Sequence, residues 1–197
     1  MGESDSPQVD IVPDTTSSSK DAGKLTDALT RLREQVHTQE REALMQRLRT
    51  DPEKTEEEQR LGVYLEEIEP QVRGAVRELN RKGFPTYSSG FWGHESEYQA
   101  IEGDFRLDEA TVEILRGKGV EVTVEPSWKY SVEQQAGVAH PDTPEDAKFT
   151  TDIRFKPATA DLQDIEQKWG EIATAFPDRG IPAVNWYREQ TKIKGLD

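Results

Sequence analysis

The sequence contains no cysteine, which removes disulfides, iron–sulfur clusters, thiolate–zinc sites and cysteine nucleophiles from consideration. Three histidines are present, His37, His94 and His140, with no HExxH, no EF-hand loop and no His pair at helical spacing. His94, Glu95, Glu97, His140 and Asp142 offer nitrogen and oxygen ligand types, but isolated in polar segments they read as solvated. The expectation is therefore no metal and no cofactor. The phosphate-cradling patterns GxxxxGK[ST] and GxGxxG and the nucleophile elbow GxSxG are also missing. No stretch approaches the roughly 18 consecutive apolar residues of a membrane span. The opening MGESDSPQVD has neither a basic region nor an apolar core, so it does not read as a secretory signal. It matches a loose acylation pattern through Gly2 and Ser6, but its acidic character and the lack of a basic cluster argue against an anchor. These absences predict a cytoplasmic protein with no membrane contact.

Acidic residues are plentiful. Asp and Glu number 39 against 25 Lys and Arg, a formal net charge of -14 in 197 residues. That excess favours solubility and disfavours nucleic acid as a partner, because phosphate neutralisation needs clustered cations. Apolar residues make up 33% of the chain, short of the about 45–50% usual for a globular chain when glycine is included, so part of the chain is expected to stay unpacked.

Residues 1–23 are rich in Ser, Thr, Asp and Pro and have no apolar stripe, which predicts a disordered tail. Residues 24–69 read as a helical arm or hairpin. Leu25, Leu29, Leu32 and Val36 recur at helical spacing, a break falls near Thr50–Lys54, and a second helix starts at about Thr55 with Leu61, Tyr64, Leu65 and Ile68 on one face. Residues 70–176 read as an α+β core domain. Pro70 suits the first turn of a helix carrying Val72, Val76 and Leu79, with Gly83 past its end.

From Phe84 the period shifts to two. Phe84–Ser88 reads as a strand that Pro85 confines to an edge. Gln99, Ile101, Gly103, Phe105 and Leu107 alternate with polar residues, as do Val120, Val122 and Val124, and then Phe149, Thr151, Ile153 and Phe155. Asp108 caps a short helix containing Val112, Ile114 and Leu115, and Asp161 or Thr159 starts a last one carrying Leu162, Ile165, Trp169, Ile172, Ala173 and Phe176. Pro126–Ala147 reads as irregular, and 177–197 as an extended C-terminal tail. Each strand has one apolar and one charged face. That predicts a two-layer α+β sandwich: a small, mainly antiparallel four-stranded sheet with helices on one face, preceded by a helical N-terminal arm.

Four groups of residues are candidates for function. The segment 86–97 holds Ser88, Ser89, Phe91, Trp92, His94 and Glu95 beside two glycines, combining hydroxyls, a stacking surface and a titratable ring; its plain alternative is a hairpin whose aromatics cover the sheet edge. Arg73, Arg77, Arg81 and Lys82 form a candidate anion or partner patch on one helix, or simply a solvated face with cations near the helix C-terminus. The stripe Leu25, Leu29, Leu32 and Val36 on helix 24–49 is a candidate for a protein partner or self-association, or for packing on its own domain. Trp128 and Tyr130, with Trp186 and Tyr187, are either interface anchors or covers for a thin core. The leading expectation is a non-enzymatic protein-interaction or ligand-binding module. The alternative is a small hydrolase- or transferase-like enzyme using Ser88, Ser89, His94 and Glu95.

Overall fold

A computed structural model describes residues 15–50, 68–92, 97–139, 141–180 and 183. Among them are five α-helices and one four-stranded sheet. The chain order is α1 (Thr15–Thr50), α2 (Pro70–Arg81), β1 (Thr86–Phe91), β2 (Gln99–Gly103), α3 (Glu109–Gly117), β3 (Glu121–Pro126), α4 (Trp128–Gln135), a 3-10 turn (Glu145–Lys148), β4 (Phe149–Phe155) and α5 (Leu162–Ala175).

The strands lie in the order β1-β2-β4-β3, every neighbouring pair antiparallel. β1 is an edge strand beginning just after Pro85, whose missing N–H is tolerated there. Ile101 pairs with Ile153, which pairs with Val122, so the inward phases of three strands meet in one row, and all three side chains are buried. Glu102, Asp152 and Thr123 form the adjacent outward row. The fold is thus a two-layer α+β sandwich with helices packed against the sheet. α2 and α5 pack on each other, α2 also meets β1, and α3 lies against β3 and α5.

The helix ends follow from local chemistry. Asp108 accepts the Thr111 amide at 2.9 Å and caps α3. Asp161 caps α5 through the Gln163 amide at 2.7 Å. Pro70 occupies the first position of α2. At the far end of α2, the Lys82 ammonium is buried and donates to the carbonyls of Ala173 at 2.9 Å and Phe176 at 2.8 Å. Those carbonyls lie at the C-terminal end of α5, where Ala173 otherwise receives only the Phe176 amide at 3.4 Å, so the cation helps satisfy them and complements the helix dipole. Phe84, Phe105 and Phe176 meet edge-on, with centroids 4.9 to 6.3 Å apart.

Several expectations change. α1 begins at Thr15, inside the segment expected to be unstructured. Leu29 and Val36 are buried in the same cluster as α2 and the sheet, with Leu25 and Leu32 packed against it, so the stripe of the expected arm is consumed by the protein's own core. The stretch expected to be irregular contains α4. This helix buries none of its residues, which is why no apolar period announced it. Ala183, in the expected extended tail, is fully buried. The helix expected from Thr55 lies outside the described residues.

Candidate functional site

The strand expected over Phe84–Ser88 runs as β1 to Phe91, and this separates the functional groups of the segment. Ser88 pairs with Glu102 on the outer face, and Ser89 with Ile101, following a register irregularity between Thr86 and Ser88. Successive strand residues face opposite sides, so the two hydroxyls do not converge on one point. The Ser88 hydroxyl donates to Glu102. Phe91 is buried in the core and is no stacking platform. Trp92 is half-buried. Around this edge lies a shallow depression of about 250 Å³ that Ser88, Ser89, Gly90, Phe91, Trp92 and Ala100 line. His94 and Glu95 fall outside the described residues.

Immediately behind this strand is a buried polar chain that the sequence reading did not single out. The Glu69 side chain is 5% exposed. Its carboxylate meets His37 Nε2 of α1 at 2.8 Å, and accepts from Gln71 Nε2 at 2.5 Å and from the Phe91 amide at 3.1 Å. Gln71 also donates to Gln99 Oε1 at 3.2 Å, which accepts Trp169 Nε1 at the same distance. Gly90 is required here. Its φ is +111°, and a Cβ at that position would collide with the Glu69 carboxylate. The chain joins α1, α2, β1, β2 and α5. It leaves Gln71 Oε1 and Gln99 Nε2 without a partner among the described residues. One signal for it was visible: Gln99 stands in the inward phase of a strand otherwise made of Ile101 and Gly103.

The cations of α2 serve the protein itself. Arg73 donates to the Ile68 carbonyl at 2.9 and 3.2 Å, Arg81 pairs with Glu78 and Asp178, and Lys82 closes α5. Arg77 alone of the four is exposed without such a bond being recorded. Three of the four candidate cations are thus engaged within the fold.

The outer sheet face carries Glu102, Asp152, Glu121 and Glu125, with Arg154 paired to Glu121 at 3.0 Å. It is drier than a fully wetted face. Asp152 is 17% exposed and one of its oxygens is buried without a partner. Burial, and then the Asp152 charge, push the Glu102 carboxyl above its ordinary range; burial likewise raises Asp152, with Arg154 opposing. Burial and then Glu102 raise the Tyr87 hydroxyl. Among the described residues no three His, Asp or Glu side chains come together as a metal site.

Among the described residues the most exposed large apolar side chain is Trp128, at 77%, the first residue of α4. Ser127 caps this helix, and its far end is closed by a Schellman turn. The Gly137 amide donates to Gln134 at 3.1 Å and the Val138 amide to Glu133 at 2.9 Å, with Gly137 at φ +72°. That turn brings Val138 back over the last turn of the helix, where Val132 stands one turn above Trp128. Val132 is 40% and Val138 70% exposed. The three form an apolar ridge on the surface. Tyr130, on another side of α4, packs under the Lys148 ammonium.

No family model, curated protein or solved structure matches this chain. No helix among the described residues is long and apolar enough to cross a membrane.

Proposed function

We propose that this protein is a non-enzymatic interaction module that docks a basic protein segment on the α4 ridge. The observation that carries the reading is Trp128, a tryptophan 77% exposed at the head of a helix with no fully buried residue. A helix with no fully buried residue gains little from the core it adjoins, whereas Trp side chains desolvated at the centre of an interface dominate binding energy. Val132 and Val138 extend the contact along one side. Glu125, exposed near the end of the strand leading into α4, adds negative charge beside the ridge, and the whole chain carries -14. Two copies of such a chain repel, while a cationic partner is steered inward.

The test places a photo-crosslinking residue at exposed Lys129 of the full chain in cells. The expected result is one partner, crosslinked through a peptide of net positive charge, whose capture falls as salt rises and is lost in Trp128→Ala. Trp128→Ala should leave the thermal midpoint unchanged, since the side chain contributes little to the fold. Crosslinks to a second copy of the chain, or a partner that Trp128→Ala retains, would overturn the proposal.

A further inference from the structure

A pocket of about 420 Å³ opens on the opposite margin of the fold, between the end of α3, the loop after β4 and the first turns of α5. Its volume lies within the range of small-molecule sites. The floor is apolar, made by Phe155, Pro157 and Ile165, all buried. The Phe155 ring is fixed by edge-on packing against Trp169 at 5.0 Å. The rim is charged, with Lys118 and Lys168 on one side and Asp164 and Glu171 along α5. Lys156 also borders the pocket, but its ammonium pairs with Glu97.

Asp164 accepts the Thr159 hydroxyl at 2.7 Å and sits in the first turn of α5, where the helix dipole already stabilises its charge. Glu171 accepts from Gln167 at 3.5 Å. The Lys168 ammonium gives one of its three donors to the Lys118 carbonyl, at 2.8 Å, which leaves two. Among the described residues neither Lys118 nor Lys168 has a carboxylate within ion-pair distance. Two Lys168 donors and the Lys118 ammonium thus stand uncommitted to any carboxylate among the described residues, above an apolar floor.

We propose that this pocket binds a small organic carboxylate with an apolar body. The carboxylate lies between the Lys118 and Lys168 ammonium groups, and the body covers Phe155, Pro157 and Ile165. The site is independent of the α4 ridge and stands or falls separately from it.

Three probes sharing one body test it: phenylbutyrate, phenylbutanol and phenylbutylamine, each titrated into the full-length ¹⁵N-labelled protein. The acid should shift amides at Gly119, in the loop after β4 and around Ile165–Lys168. It should bind about tenfold tighter than the alcohol, the size of one charge-assisted contact. The double variant Lys118→Met, Lys168→Met should bring the acid down to the alcohol's affinity. Ala158→Trp adds bulk at an exposed lining position, keeps both lysines and should abolish binding of acid and alcohol alike, so the proposal remains testable if the double variant does not fold. Equal affinity for acid and alcohol, tighter binding of the amine, shifts that map elsewhere, or no saturable shift with the acid would each overturn it.

Discussion

Glu69 shows how much one side chain can hold. A carboxylate this far from water has to be matched by donors, and here they come from three separate segments: His37 of α1, Gln71 of α2 and the Phe91 amide of β1. Truncation strands the Phe91 N–H and the Gln71 amide inside the core, so Glu69→Ala should cost about 3 kcal/mol by urea unfolding. Gly90→Ala should destabilise too, because the new methyl would have to occupy the space of that carboxylate in a backbone conformation that L residues avoid. A loss below about 1 kcal/mol for Glu69→Ala would mean that the network contributes no more than an ordinary surface contact. Sequence alone gave little warning of Glu69. It precedes Pro70 at a helix start, a place where a carboxylate ordinarily faces solvent, and its three donors lie 32, 2 and 22 positions away along the chain.

At the scale of elements, α1 is the instructive one. Its stripe was readable as helical, but periodicity states only that a face wants burial, and not what buries it. The structure answers with the protein's own core: Leu29 has no exposed surface and Val36 almost none. Leu29→Ala should therefore lower global stability by about 2–4 kcal/mol, as for other buried leucines, with a single cooperative transition in denaturant. A free partner-binding arm would show no such loss. The strands and capped helices were legible because alternation and capping residues are local signals. Asp108 and Asp161 cap as their positions predict, and Val122 and Ile153 face inward as their phase requires. α4 was not legible, since its boundaries rest on the Ser127 cap and a Gly137 turn with no apolar period between them. Trp128 was recognisable as a candidate anchor, yet only coordinates separate an exposed tryptophan from one covering the core. Segment 86–92 misled in the opposite way: its glycine and hydroxyls suggest a site, while Gly90 is there to make room for Glu69.

For the molecule as a whole, the uncovered side of the sheet sets how stability responds to pH. Glu102 and Asp152 are paired across β2 and β4, and both have carboxyl pKa values raised by burial in the fold. A carboxyl raised in this way holds its proton better folded than unfolded. Its cost is present above the folded pKa and disappears as pH falls through it towards the ordinary value of about 4. Asp152→Asn removes one of the two charges and gives an amide able to donate to Glu102. The variant should therefore be more stable than the natural chain at pH 7 by urea midpoint, with the difference closing by about pH 4. A variant less stable at pH 7, or a gap that ignores pH, would contradict this account of the outer face. The comparison with the natural chain is needed because Glu78, through its hydrogen bond to Arg81, and Asp108, through the Thr111 amide, have lowered pKa values and respond in the opposite direction.

The lysine that closes α5 also links the beginning of the sandwich to its end. Lys82 Nζ and the carbonyls of Ala173 and Phe176 are more than 90 positions apart in the chain, yet they meet in two buried hydrogen bonds. Opening either helix alone would take the acceptors from the ammonium or the donor from the carbonyls. α2 and α5 are thereby obliged to melt in concert, and intermediates with only half of the helical layer formed are penalised.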